Sequence, residues 1–126
     1  MPRIRLHIHL SSDHSLGPGK VALLEAIEAR GSISAAARDL GMAYRHAWEL
    51  VDDMNRAFDS PVVCATSGGR AGGGARLTPL GRSVALRFRA MEAAARGAIA
   101  ADLRALAREL RGAGALRAAS ARAARR

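Results

Sequence analysis

The stretch from Gly31 to Asn55 constrains the fold of this chain more than any other part of the sequence. An alanine-rich segment ends at Leu40, and Gly41 follows where the chain must reverse, because glycine adopts a positive φ at little cost. Apolar residues then recur at helical spacing: Ala47, Trp48, Val51, Met54 and Phe58. The pattern predicts two helices joined by a tight turn, with the second helix at about residues 43–58. The simpler alternative is a helical hairpin packed on a core.

The other side of the second helix is polar, and its charges are unevenly distributed. It carries Tyr44, Arg45, His46, Glu49, Asp52, Asp53 and Arg56, with the basic and hydrogen-bonding residues at the N-terminal end. A DNA-recognition helix enters the major groove with its N-terminal residues. We therefore expect Tyr44, Arg45 and His46, with Glu49 behind them, to approach base edges, where arginine suits guanine and glutamate accepts from cytosine.

Two serines lie at the start of the first helix of this pair. We expect Ser34 to cap that helix, because a serine hydroxyl can accept from an unpaired amide of the first turn. Ser32 and Ser34 are also expected to add contacts to the DNA backbone.

The N-terminal residues alternate between polar and apolar from Arg3 to Leu10, which predicts a half-buried β-strand. We expect a loop from Ser11 to Gly19, and pairing of the strand with a later hairpin or with another subunit. A helix is expected from Lys20 to Arg30. Its core-facing residues would be Val21, Leu24 and Ile27, with Leu23 at the margin.

His7 and His9 project to the same face of the expected strand, with His14 nearby, and two such histidines can share a metal ion. No cysteine or carboxylate stands at a recognised ligand spacing beside them. We interpret them as solvent-facing polar residues and assign no metal.

A glycine-rich segment lies between two β-rich runs. Residues 61–66 form the first run, residues 67–75 a tip, and Arg76 begins the return strand. The segment lacks the Gly-Lys-Ser/Thr ending of a nucleotide phosphate loop. It is typical of a DNA-contacting wing, in which Arg70 and Arg76 hold phosphate or enter the minor groove.

Thr78 and Pro79 open the last element, since threonine caps a helix and proline suits its first position. Apolar residues recur from Leu80 to Leu110, which predicts a long helix over about residues 78–110 whose distal stripe forms a dimer seam. The alternative is a helix broken near Gly97 and folded back on its own subunit. Residues 1–110 would form the domain, and residues 111–126 a basic, disordered tail.

The net charge of +9 and the sequence pI of about 11.6 favour a polyanionic partner, nucleic acid first and an anionic membrane surface second, and we expect double-stranded DNA and no membrane. The single Cys64 suits a reducing cytoplasm, and no apolar run approaches a membrane span. We find no nucleophile–base pair, paired carboxylates or cofactor motif, so we expect no enzyme and no cofactor. Cys64 is interpreted as a small core residue.

Several motifs together resemble the N-terminal DNA-binding domain of the ModE family, molybdate-responsive transcriptional regulators with a LysR-type winged helix-turn-helix. They are Gly31-Ser-Ile-Ser-Ala-Ala-Ala-Arg38, Tyr44-Arg-His-Ala-Trp48, Met54-Asn55, the wing at residues 67–75, and Leu77-Thr-Pro-Leu-Gly81. The resemblance covers roughly residues 6–89. It implies a mainly α fold with a small β-sheet, an N-terminal strand, a winged helix-turn-helix and a long C-terminal helix that forms a homodimer.

The sequence departs from the family in two respects. Ala43 stands where the family usually has a capping serine or threonine, a loss of about 1 kcal/mol of local stability. Family members that sense molybdate carry C-terminal oxyanion-binding domains, whereas this sequence ends soon after the long helix. An effector would then act through a separate protein.

Two other functions stay open at this level. A packaging protein that binds nucleic acid without sequence preference would rely on the arginine excess and the tail. An oxyanion or metal sensor would bind its ligand at the dimer seam or through His7 and His9.

Overall fold

The structure, a computed structural model, describes residues 2–66 and 73–112, which form helices and two small antiparallel sheets. The elements are β1 (Ile8–His9), β2 (Ser15–Leu16), α1 (Pro18–Arg30), α2 (Ile33–Asp39), α3 (Tyr44–Ala57), β3 (Val63–Thr66), β4 (Gly74–Leu77) and α4 (Pro79–Arg108). Two compact units divide the chain: residues 5–90, and residues 1–4 with 91–126. The predicted mainly α fold with a small β component is confirmed, and three helices followed by a hairpin is the order expected of a winged helix-turn-helix.

The junction of α1 and α2 corrects one prediction. Gly31 ends α1 with a φ of 74°, and its amide donates to the Ile27 carbonyl at 2.8 Å. Ser32, with extended backbone angles, is the residue that caps α2, because its hydroxyl accepts from the Ala35 amide at 3.0 Å. Ser34 was expected in this role, but it already lies inside the first turn of α2, where its hydroxyl cannot reach the same amides.

The turn between α2 and α3 follows the sequence prediction at two positions. Gly41 has a φ of 66°, as expected for a reversal, and Ala43 precedes α3 without a side-chain cap. The apolar side of α3 differs from the prediction at Trp48. Ala47, Val51 and Met54 are buried, but Trp48 lies one residue further round the helix and is exposed.

The N-terminal strand is shorter than predicted and has a different partner. β1 contains two residues and pairs with β2, so that Ile8 opposes Leu16 and His9 opposes Ser15. The partner is local because the Leu10 and Ser11 amides both donate to the His14 carbonyl, which closes a tight turn. Exposure alternates from Arg3 to His9, but Leu10, where the predicted strand would end, is 45% exposed. The predicted loop therefore contains β2, and α1 begins at Pro18 rather than Lys20.

The core of the unit spanning residues 5–90 is formed by Leu16 of β2, by α1, α2 and α3, by the β3–β4 hairpin and by the first turns of α4. Its largest fully buried side chains are Phe88, Leu23, Leu24, Ile27, Met54, Val21 and Val62. Leu23 is therefore fully buried rather than marginal, because α1 packs two adjacent apolar stripes inward.

The last helix is continuous. Thr78 caps it, since its hydroxyl accepts from the Gly81 amide at 3.0 Å, and Pro79 takes the first helical position as predicted. The helix then runs through Gly97 to Arg108, so the alternative of a break near Gly97 is wrong. Among the residues that the structure describes, no helix combines the length and apolarity needed to cross a bilayer.

Candidate nucleic-acid interface

The surface of α3 that points away from the core carries paired charges. Arg45 is 91% exposed, and its Nε lies 3.4 Å from a carboxylate oxygen of Glu49, one turn along the helix. Arg56 and Asp52 form a second pair of the same spacing at 3.2 Å. Pairs this exposed contribute about 0–1 kcal/mol. The Arg45 guanidinium can therefore exchange its partner for an acceptor on a ligand at little cost.

A second flank of α3 borders an open groove with a volume of about 340 Å³. The groove lies between the start of α2, this flank of α3 and the β3–β4 hairpin. The lining side chains include Ser32, Ser34, Tyr44, Trp48, Val51 and Asn55. Three of the predicted site residues thus share one groove, whereas Arg45 and Glu49 lie on the neighbouring outward face. His46 is exposed on the side of α3 away from the groove.

Asn55 fixes the hairpin relative to α3. Its side-chain oxygen accepts from the Val62 amide at 2.8 Å and the Val63 amide at 3.1 Å, and its Nδ2 donates to the Val63 carbonyl at 3.2 Å. These bonds satisfy three backbone groups where β3 begins. The sequence analysis names Asn55 only as part of the Met54-Asn55 motif and assigns it no contact. An asparagine near the end of a helix and shortly before a strand could have indicated such bonds, because its side chain readily pairs with backbone groups.

The hairpin is also tied to α1. The Ala75 amide donates to the Gly31 carbonyl at 2.9 Å, and the Leu77 amide donates to a Glu28 carboxylate oxygen at 3.1 Å. A Cβ at position 74 would lie 3.0 Å from the same Gly31 carbonyl oxygen, so a side chain there would crowd the contact. The hairpin therefore has a fixed position beside the groove.

The two arginines predicted to act from the wing have different outcomes. Arg76 is exposed in β4 opposite Cys64, on the face of the hairpin that points away from Val63 and Leu77. The structure does not bring Arg76 to the groove. Arg70 lies outside the described residues. Cys64 is half-buried on the same outer face as Arg76, and so it is not the core residue expected.

Asp53 was expected on the exposed side of α3, but the structure places it in a cluster. Its carboxylate accepts from Lys20 Nζ at 2.7 Å and lies 3.2 Å from His14 Nδ1. The hydrogen bond from Lys20, helped by the charges of Lys20 and His14, lowers the pKa of Asp53 below its usual 3.8, and burial opposes this. The cluster joins α3 to α1 and to the turn between β1 and β2.

The histidines of the N-terminal strand lie side by side, with the ring centroids of His7 and His9 5.2 Å apart. Within residues 2–66 and 73–112, no group of three or more histidine, cysteine or acidic side chains is arranged to hold a metal ion.

The α2–α3 helix pair with the β3–β4 hairpin fixed beside it is the arrangement expected of a winged helix-turn-helix protein, and similar proteins indicate the family. No protein-family model matches the chain. It is 51% identical over 78 residues to the molybdenum-pterin-binding protein MopB of Rhodobacter capsulatus. The matched region covers 62% of this chain and 29% of that protein. It is 39% identical over 88 residues to the molybdenum transport protein ModE of Azotobacter vinelandii, covering 70% of this chain and 33% of that protein.

A third relative is the DNA-binding transcriptional dual regulator ModE of Escherichia coli (strain K12), 37% identical over 79 residues. That match covers 63% of this chain and 30% of the relative. Over the matched region, the chain belongs to the ModE family. The chain spans about a third of the length of these curated relatives.

Proposed function

We propose that this chain is a DNA-binding transcriptional regulator that reads DNA sequence with the outward face of α3. The observation that carries the proposal is the 91% exposed Arg45, which lies with Glu49 on the outward face of α3, the helix to which Asn55 joins the hairpin. The net charge of +9 supports a polyanionic partner. The relation to proteins named transcriptional regulators supports the same function.

Each predicted contact residue has a separate role. Arg45 and Glu49, with Tyr44 and His46 beside them, contact base edges in the major groove, where each good contact contributes roughly 1–3 kcal/mol of discrimination. Ser32 and Ser34 contact the DNA backbone. Arg70 and Arg76 add phosphate or minor-groove contacts from the hairpin, with Arg76 acting from its outer face.

The protein acts as a homodimer in this proposal. Leu106 and Leu110 are 65% and 57% exposed, on or just after the distal part of α4, which at 30 residues is about 45 Å long. A second copy that covers this stripe would pair two recognition helices about a dyad. The DNA site would then be palindromic, with half-sites roughly 34 Å apart.

The regulated genes are those of molybdate transport or of molybdoenzymes, by the relatives' names and the family resemblance. The domain comprises residues 1–110, with residues 111–126 as a basic tail, of which 113–126 lie outside the described residues.

The test begins by enriching a bound sequence from duplexes with a random core, using the full chain. Fluorescence anisotropy then compares the enriched duplex with its shuffled version at two salt concentrations, with and without molybdate. We expect preference for the enriched duplex. Arg45→Ala should relax the preference at particular base pairs, which corresponds to about 1–3 kcal/mol.

The matched control is Arg87→Ala, which removes an equal charge from an exposed position on α4, where Arg87 donates to Ser83. It should leave the base preference intact. Equal, steeply salt-dependent binding to both duplexes would instead favour nucleic-acid packaging. Full base preference in Arg45→Ala would contradict the assignment of α3. A shift caused by molybdate would show that this chain itself responds to the oxyanion.

A further inference from the structure

The groove beside α3 is lined by aromatic residues that the fold leaves exposed. The chain has only four aromatic residues of the Phe, Tyr and Trp types. Phe88 is fully buried, whereas Tyr44 is 56% and Trp48 49% exposed, one helical turn apart on the same flank. The single tryptophan of a protein with so few aromatics would contribute more to the core if it were buried. Its exposure beside a groove indicates a contact surface.

The opposite side of the groove has a different chemistry. Ser32 and Ser34 stand there, and the Arg38 guanidinium donates to the Ser34 hydroxyl at 3.5 Å. Each serine hydroxyl already accepts a hydrogen bond, so its own proton remains available for an acceptor such as a phosphate oxygen. Among the described residues that line the groove, none is acidic. One wall is thus aromatic, and the other is hydroxyl-bearing with a cation behind it.

These two walls match the two parts of a DNA backbone. A deoxyribose offers an apolar face to aromatic rings, and a phosphate accepts hydrogen bonds from hydroxyl groups and arginine. The position of the groove agrees with this match. A protein that places a helix in the major groove and a hairpin toward the next minor groove must straddle the sugar-phosphate strand between them. The groove is the space between α3 and the hairpin.

We propose that this groove holds one sugar-phosphate strand of the duplex, with the rings of Trp48 and Tyr44 against deoxyribose. Ser34 and Arg38 hold the adjoining phosphate. The inference rests on the proposed DNA-binding function and sharpens it, because it moves Tyr44 from base reading to backbone positioning. Successive helical residues are separated by about 100°, so Trp48 and Glu49 face different parts of the DNA.

Trp48 is the only tryptophan, and its emission therefore reports on this groove alone. The experiment measures acrylamide quenching of Trp48 in the full chain, free and with the enriched or the shuffled duplex. Anisotropy of a dye on the DNA measures binding independently. At saturation, we expect quenching to fall by about half or more with both duplexes, because stacked rings lose their solvent contact. Replacing every thymine by uracil should leave affinity and quenching unchanged.

Variants test the energetic contribution. Trp48→Ala should weaken binding to both duplexes by a similar factor, about tenfold, without changing base preference. Trp48→Phe should retain most of the affinity. Leu86→Ala is the control, because Leu86 is a large, exposed apolar residue on α4 that does not line the groove, and this variant should bind normally. Circular dichroism melting establishes that each variant is folded.

Three results would overturn the inference. Binding without protection of Trp48 rejects the groove and leaves the DNA-binding function standing. Loss of affinity with uracil, absent in Trp48→Ala, would show that Trp48 contacts thymine methyl groups rather than the backbone. No binding to any duplex would reject both proposals.

Discussion

The two halves of α4 have similar apolar spacing but opposite surroundings. Up to Ala90 the helix belongs to the packed unit, where Val84, Ala85 and Phe88 are buried. Beyond it, Leu103 is half-buried and Leu106 is 65% exposed. Periodicity in a sequence therefore identifies the apolar stripe of a helix, but it does not identify what covers the stripe.

The difference extends to the glycines of the same helix. A Cβ at Gly81 would overlap the Val62 carbonyl group and lie 3.3 Å from the Leu77 Cβ atom, whereas a Cβ at Gly97 would meet no atom within 4 Å. The first glycine allows the close packing of α4 against the start of β3, and the second is an exposed helix position. The proximal half is thus fixed by its own chain. In and just after the distal half, the exposed Leu106 and Leu110 are the side chains that the proposed second copy would cover.

The largest expected effect on stability distinguishes the apolar stripe in the proximal half of α4 from the one in the distal half. Phe88→Ala removes a fully buried ring and should lower the free energy of unfolding by about 3–5 kcal/mol at any protein concentration. Leu106→Ala should change stability only where a dimer forms. Thermal melting of both variants and the parent, each at a low and a high protein concentration, measures this difference.

Analytical ultracentrifugation of the parent and of Leu106→Ala tests the proposed dimer directly. If the proposed dimer exists, the parent should dissociate on dilution and Leu106→Ala should dissociate at a higher concentration. Equal sedimentation of parent and variant as monomers would contradict the dimer. A large concentration-independent loss in Leu106→Ala would instead contradict the exposed position of this side chain.

The next prediction is that alanine substitutions at the two glycines of α4 change the free energy of unfolding in opposite directions. Gly81→Ala should destabilise the protein by about 1–3 kcal/mol, because a backbone carbonyl must move to admit the methyl group. Gly97→Ala should stabilise it by up to about 1 kcal/mol, because alanine loses less conformational freedom in a helix interior. Denaturant unfolding of the two single variants gives both values. Destabilisation by Gly97→Ala would mean that the distal helix is packed closely in solution.

Features governed by local backbone chemistry could be predicted from the sequence. The positive φ of Gly41, the uncapped start of α3 at Ala43 and the capped start of α4 at Thr78 and Pro79 are all confirmed. Each depends on the residue type and its immediate neighbours, so the sequence contains the necessary information. The order of three helices and a hairpin followed from such boundaries.

Features that depend on distant partners could not be predicted. The exposure of Trp48, the contacts of Asn55 with the start of β3 and the placement of Asp53 each depend on how α3 packs against other elements. The error at Ser34 has a different cause. Ser32 and Ser34 are both suitable capping residues, and the choice depends on the residue at which α2 begins, which the sequence does not fix to within one or two positions. Roles assigned to Arg45, His46 and Glu49 stay predictions, because no nucleic acid tests them.

The smallest expected effect concerns the ion cluster, where charge adds to the apolar burial that packs Ala47, Val51 and Met54 of α3 into the core. The pKa of Asp53 is lowered in the folded protein, chiefly by the hydrogen bond from Lys20, so its contribution to stability is present above the unfolded pKa and is lost as pH falls through the folded value. Asp53→Asn should therefore cost about 0.2–1 kcal/mol at neutral pH, with little difference from the parent well below pH 3.8. Denaturant unfolding at neutral pH and well below pH 3.8 measures this difference. Adding Lys20→Met and the double variant completes a double-mutant cycle, which gives the coupling free energy between Lys20 and Asp53.

A coupling free energy between Lys20 and Asp53 that persists in acid would show that charge is not what joins α1 to α3. In that case, the buried apolar side chains of α3 would be what holds the two helices together.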